Sequence, residues 1–493
     1  MVSISPSLRL RDPSPRQVLD FGFLQRTFLV IGLMLVMVAP FSLDPLPLAV
    51  GAFVPSVLLR IVGTPTMPVG VVYFFIWQWA QTFARVLLST IDGESLAGGE
   101  YGPGVLNAYW YMLASIVVMA LAFRLVLGGL PGPTLEDSNA HLSWRPQDLF
   151  LLYCGTLVLM VVCAYKWAYA PGLAQQIDAL SRLKIVAEFL LFVTVLGTGR
   201  GGKLMVAAVA IEIVIGFTGL LSDFRSVFIY LAMAAIAARI AVGPTAIIGG
   251  VVWFSILLAL GLFWTAVKTE YRDYLLGGEE TQYSTVSFSD RLSYLGALSM
   301  SPGDIDWKAA AYQMLNRFAY VDIFGTVIGV QEASREPTAV RQWQEAIDHV
   351  FKPRIFFPDK AALSDTETYA RLAGIEERLV LRASTSISVG YITENYVDFG
   401  FPGMLASMFG LGLLIAGVIR YFMQSRLPWM VRQGLVLAFI YNIAGIGVEA
   451  SLPKLFGSIV MFFLVYALVV KFVLPKSLRW LNARASMEPA QPS

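Results

Sequence analysis

Apolar residues recur along this chain in blocks divided by short polar connections, and the blocks approach the roughly 20 residues that a helix needs to cross a bilayer. Twelve can be marked: Thr27 to Leu43, Leu46 to Val62, Pro68 to Leu88, Leu106 to Leu127, Leu149 to Tyr169, Ile185 to Leu196, Leu204 to Leu221, Val227 to Ala241, Thr245 to Val267, Phe401 to Ile419, Leu435 to Val448 and Leu455 to Leu474. The sixth, eighth and eleventh are short, so each lengthens into its flanks or one of them re-enters from one side. One polar interval breaks the series, Lys268 to Gly400, roughly 130 residues long. A structureless loop of that length is uncommon in a compact fold, which points to a small domain or a lid. Inside it, Ala311, Met314, Leu315, Phe318, Val321 and Phe324 fall at helical spacing and predict a helix over Trp307 to Val330 with one greasy face. The expected fold is all-α: a polytopic membrane bundle of about 12 helices with one large insertion. Its expected parts are an N-terminal tail (1–26), spans one to nine (27–267), the insertion (268–400), the last three spans (401–475) and a C-terminal tail (476–493).

Composition removes the competing classes. Of 493 residues, 57% are hydrophobic and only 14% charged, against roughly 25% charged in soluble domains. A soluble or disordered chain is excluded, and the recurrence of blocks excludes an enzyme on a single anchor. The formal charge of +2, with no clustered basic face, argues against nucleic acid as a partner. Basic residues lie instead between blocks: Arg9, Arg11, Arg16 and Arg26 before the first, then Arg60, Arg124 with Arg145, Arg200 with Lys203, Arg239, Arg420 with Arg426 and Arg432, and Lys476 with Arg479 and Arg484. Cytoplasmic connections retain positive charge, so both termini are expected in the cytoplasm and the insertion on the opposite face. Cys154 and Cys163 share one block and read as small buried side chains.

Candidate chemistry is then sparse. Ionisable groups at bilayer depth are costly and need either a partner or a functional role. Glu212 sits mid-block, while Arg85, Lys166 and Glu188 lie near span ends, where snorkelling or mutual pairing is the plain expectation. The outer hairpin Ser222-Asp223-Phe224-Arg225 sets a guanidinium at the mouth of the bundle. It is either an interface anchor paired with Asp223 or a ligand for phosphoryl oxygens, for which its planar fork is suited. Lys352-Pro353-Arg354-Ile355-Phe356-Phe357-Pro358-Asp359-Lys360 packs three cations and two prolines around an apolar triplet, and Arg317 and Arg382 add cations to the same insertion. Tyr391, Glu394, Tyr396 and Asp398 lead into the tenth block as an expected surface cluster able to grip a sugar ring and take a proton, or as an aromatic belt. P-loop, paired-cysteine zinc, HExxH and GxSxG motifs are absent from the sequence, and Asp304 with Asp306 is a weak metal signal. Metal-independent, cofactor-free chemistry is expected.

The Arg354 to Lys360 stretch inside a large external insertion, the Gly390 to Gly403 approach to the next span, and Arg225 in a short outer hairpin together resemble bacterial O-antigen and exopolysaccharide polymerases of the Wzy type. Arg382 is followed by Gly390 at a closer spacing than that family's arginine-to-glycine loop. The resemblance implies a membrane-embedded glycosyltransferase of the GT-C kind in the bacterial inner membrane. It would join oligosaccharide repeats carried on undecaprenyl diphosphate at the periplasmic face, beside a possible chain-length regulator protein and membrane lipid. It also implies Arg225 and Arg354 as matched cations. Together with the residues above, the expected catalytic set is Arg225, Glu394 and Asp398, with Asp223 behind them. The expected substrate-binding set is Arg354, Lys360, Arg382, Arg317, Tyr391 and Tyr396. An O-antigen ligase and a lipid-linked oligosaccharide flippase are the alternatives.

Overall fold

The computed structural model describes all residues except 1–16, 168–172, 219–222, 277–285, 301–304, 335–338, 353–356, 358–362, 376–386, 446 and 487–493. The described residues form helices and no named strand. They are α1 (Phe21–Val36), α2 (Pro45–Val62), α3 (Val69–Asp92), α4 (Gly104–Leu127), α5 (Leu135–Asn139), α6 (Pro146–Trp167), α7 (Ala174–Ser181), α8 (Leu183–Thr198), α9 (Gly202–Thr218) and α10 (Arg225–Ala237). They continue with α11 (Pro244–Leu276), α12 (Phe288–Ser299), α13 (Trp307–Phe318), α14 (Val321–Ser334), α15 (Arg341–Phe351), α16 (Asp365–Leu372), α17 (Tyr391–Met423), α18 (Trp429–Ala444), α19 (Leu452–Leu468) and α20 (Leu474–Ala485).

Each of the twelve apolar blocks is centred on one of these helices. Among the described residues, seven helical stretches are long and apolar enough to cross a membrane, and α10 and α18 are shorter apolar helices. Twelve crossings therefore remain the expectation from the sequence, and seven meet the requirement by length and composition. α3 falls short for a physical reason: its interior carries Gln78, Gln81, Thr82 and Arg85, all buried. It is the polar centre of the bundle, with neighbours satisfying each group. Tyr391 donates its hydroxyl to Gln78, Thr82 Oγ1 donates to the Gln78 carbonyl (2.9 Å), and Arg85 pairs with Asp322 at 3.0 Å.

That ion pair corrects the expectation that Arg85 would snorkel or pair with Lys166 or Glu188. Its partner comes from the insertion. Helices α13 to α15 pack directly on the bundle, α14 against α4, α13 against α3 and α11, and α15 against α19. At the α4–α14 crossing a Cβ on Gly104 would lie 2.3 Å from the Gly325 carbonyl oxygen, so only glycine permits this approach. Val321, Phe324 and Ile328 belong to the same core as the spans. The helix expected over Trp307 to Val330 is two, α13 and α14, because Ala319 leaves helical geometry (ψ 65°) and the chain turns between them. α11 runs past the last residue of the expected ninth span to Leu276, and α17 begins at Tyr391 and continues past a break in helical geometry at Gly400 and Phe401.

His141, in the connection before α6, is buried, and this burial pushes its pKa down to about 4. A histidine held neutral in the fold contributes stability that is complete above its ordinary pKa of about 6.5 and is lost as pH falls toward 4. The detergent-solubilised protein is expected to melt at a lower temperature at pH 5 than at pH 7.5, with part of that slope removed in His141→Gln. An unchanged slope in the variant would refute the assignment.

Candidate functional site

Tyr73, Trp77 and Gln81 recur every four residues of α3 and so line one of its faces. That face meets the start of α10 and the end of α18. Phe224 stacks on Phe217 with ring centroids 4.3 Å apart, and Ser226 Oγ donates to the Asp223 carbonyl at 2.8 Å, which fixes the turn heading α10. Arg225 thereby projects over the Trp77 ring, 5.5 Å from its centroid, and donates through Nη2 to the Gly445 carbonyl at 3.3 Å. Gly445 caps the C-terminal end of α18, where carbonyls lack intrahelical donors and the helix dipole is negative. Arg225 forms no ion pair among the described residues. Asp223, its partner in one of the two alternatives expected, instead accepts from the Tyr441 hydroxyl at 2.5 Å. Tyr441 lies 5.0 Å from Tyr230 and 6.3 Å from Tyr73, ring centre to ring centre, completing an aromatic wall.

A second guanidinium reaches the same place. Arg182, at the end of α7, donates to Asp178 at 3.3 Å and acts electrostatically on Asp223, Tyr230 and Tyr441, while its buried Nε makes no hydrogen bond. Ser181, Arg182, Lys184, Glu212, Asp223 and Tyr230 are among the residues lining a cavity of roughly 190 Å³. Glu212 is occupied structurally, accepting from Tyr153 at 2.7 Å and from Lys184 at 2.5 Å. Glu188 is fully buried beside them.

Glu449, at the end of the turn that follows α18, acts on Arg225. It accepts from Gln81 Nε2 at 3.0 Å and lies under the influence of both Arg225 and Arg317. Burial raises its pKa above the ordinary carboxylate range, against the pull of the two arginines and the Gln81 hydrogen bond. The result is two guanidiniums with spare donors, an aromatic wall, and a carboxylate with enhanced basicity at one mouth. Such a group can bind a phosphorylated ligand and accept a proton.

The other expected site residues divide. Arg354, Lys360 and Arg382 lie outside the described residues. Arg317 is exposed on α13 and faces the site through Glu449. The Tyr391 to Asp398 cluster is not at the surface: Tyr391 is 1% exposed, Glu394 1% and Asp398 2%. Positions 391, 394, 395 and 398 share one face of α17, and that face turns inward. Gly390 permits this by taking φ +83° against the Val448 carbonyl. Glu394 accepts from the Leu452 backbone N–H, and Asp398 accepts from the backbone N–H groups of Arg341 (3.1 Å), Gln342 (2.9 Å) and Trp343 (2.8 Å) at the start of α15. Both carboxylates are thus engaged as structural acceptors, and the groups facing Arg225 are Tyr441, Tyr73, Asp223 and Glu449. Tyr396 packs on Tyr111 and Phe324. Asp306 is spent capping α13 through the Ala309 N–H (2.9 Å), and its expected companion Asp304 lies outside the described residues. Arg182, Tyr441 and Glu449 were missed. Only the i, i+4 spacing of Tyr73, Trp77 and Gln81 was readable as a marked face.

Among the described residues, fold and site together define an all-helical bundle with membrane-length apolar helices, in which Arg225 and Arg182 both lie near Asp223 and Tyr441. Comparison with protein-family models, curated proteins and solved structures finds no match to any of them.

Proposed function

We propose that the protein is a membrane glycosyltransferase that passes an oligosaccharide from a polyprenyl diphosphate, undecaprenyl diphosphate in a bacterial inner membrane, to a hydroxyl of a second lipid-linked repeat. The observation that carries this reading is Arg225: a guanidinium held among aromatic rings with no carboxylate paired to it among the described residues. A cation kept in such surroundings favours an anionic ligand, and a diphosphate uses its fork geometry fully. In the reaction the bond from the sugar anomeric carbon to the phosphate oxygen breaks, leaving its electron pair on the diphosphate beside Arg225 and Arg182. The acceptor oxygen bonds to that carbon and its proton passes to Glu449. This chemistry requires that the leaving group be neutralised and the acceptor be held near a base. Glu449 and Asp223 take the place of Glu394 and Asp398 in the proposal. The insertion would then stand on the periplasmic side, with both termini cytoplasmic.

Purified protein in detergent, given lipid-linked repeats and no other acceptor, is expected to produce a ladder of elongated products. A ligase would leave the repeats unextended, and a flippase would have no gradient to use. A pH profile tests the base. Activity requires ionised Glu449, so the acid limb should lie above the ordinary glutamate range. In Arg317→Ala one stabilising cation is lost, so the limb should move further up in pH. A limb that stays in place or moves down would remove Glu449 from the mechanism.

A further inference from the structure

α11 is the least covered of the long apolar helices: Ile247, Ile248, Val251, Val252, Phe254 and Ile256 all stand exposed. Nearer its C-terminal end the helix carries Lys268 and Arg272, four residues apart and so on one face. α13 packs along this part of α11, with the Met314 sulfur beside Gly261, and brings Arg317 within electrostatic reach of both cations. The three positive groups thus act on one another as like charges. Acids on the same turns are directed elsewhere: Glu270 accepts from the Tyr294 hydroxyl at 2.9 Å, and Asp273 acts on the same tyrosine. Neither Lys268 nor Arg272 forms an ion pair among the described residues, and the buried Nε of Arg272 makes no hydrogen bond.

Like charges gathered on two packed helices destabilise the fold unless an anion sits between them. Here the gathering stands at one end of an uncovered apolar track. We propose that Lys268, Arg272 and Arg317 form a binding site for the phosphate headgroup of an anionic membrane lipid whose acyl chains lie along the exposed face of α11. The two guanidiniums offer paired hydrogen bonds to phosphoryl oxygens and the ammonium adds a point charge. Exposed apolar side chains supply the track for the tails. Arg317 also acts on Glu449, so the two sites share that residue, while Lys268 and Arg272 belong to the lipid site alone, and this site stands whether or not the protein transfers sugars.

The test uses the full-length protein in detergent, titrated with short-chain phosphatidylglycerol and read by native mass spectrometry. Wild type is expected to retain this lipid about 30-fold more tightly than the Lys268→Gln/Arg272→Gln variant, as expected for two membrane-surface charges, and more tightly than it retains phosphatidylcholine. The conservative Lys268→Arg should keep tight retention, which separates lost binding from lost folding. Equal retention by wild type and the double variant overturns the proposal. Amine acylation at Lys268, followed by peptide mapping, distinguishes the source of the phosphate. Phosphatidylglycerol should protect the lysine where inorganic phosphate at the same concentration does not, and equal protection by inorganic phosphate overturns the lipid assignment. Because Arg225 is untouched, failure of this site and failure of the transferase reading are told apart by measuring elongation in the same preparations.

Discussion

Arg225→Ala is expected to abolish most glycan transfer while leaving the protein folded. Arg225 contributes one 3.3 Å hydrogen bond to a carbonyl and one ring contact to the fold, so its removal disturbs little packing. Its loss would leave the departing diphosphate without its principal cation. Truncating one member of a desolvated charge pair costs about 2 to 5 kcal/mol, which corresponds to a fall in rate of about 30-fold to several thousand-fold. Arg225→Lys should recover only part of the rate, because an ammonium offers no planar fork. Initial rates of product formation in detergent, with melting temperature as the folding control, read both variants. Wild-type rates in Arg225→Ala would remove the arginine from the chemistry.

A large effect of a different kind is expected at Asp398. Its carboxylate accepts from three consecutive backbone N–H groups at the start of α15, and Gln342 among them is buried. Alanine there loses a helix cap, at about 0.5 to 2 kcal/mol, and strands buried donors at about 1 to 3 kcal/mol each. A total near 3 kcal/mol is a sizeable fraction of a typical protein's stability. Asp398→Ala should therefore melt well below wild type, with Asp398→Asn in between since one amide oxygen can still accept. Activity per folded molecule should stay near wild type in both. An Asp398→Ala protein that melts like wild type but transfers no sugar would restore the carboxylate to the catalytic group.

The structure also shows which features the sequence announces and which only the fold reveals. Blocks of apolar residues translate into helices because a span must be apolar over a fixed length, and the midpoint of each block falls within a helix, seven of the helical stretches being long and apolar enough to cross a membrane. Arg225 stood out because a cation in a short connection between two apolar blocks has few places to go, and the structure places it over Trp77 with its guanidinium on the Gly445 carbonyl. The Tyr391 to Asp398 segment was misread as a surface cluster. Its polar residues suggested exposure, yet their spacing at i, i+3, i+4 and i+7 is that of one helix face, and the face is buried against α15 and α19. Arg182, Tyr441 and Glu449 belong to three distant segments that only the folded bundle brings together. The division of α13 from α14 depends on a turn at Ala319, which carries no glycine or proline to announce it. Arg85 found its partner on the insertion, a long-range pairing that span-by-span reading does not reach.

Binding of a lipid diphosphate by Arg225 is the step on which the proposed transfer depends. Calorimetric titration of the purified protein with a short-chain polyprenyl diphosphate measures this without requiring turnover. Binding to wild type is expected to be at least about 30-fold tighter than to Arg225→Ala, which corresponds to roughly 2 kcal/mol. Equal affinity in the two proteins would contradict it.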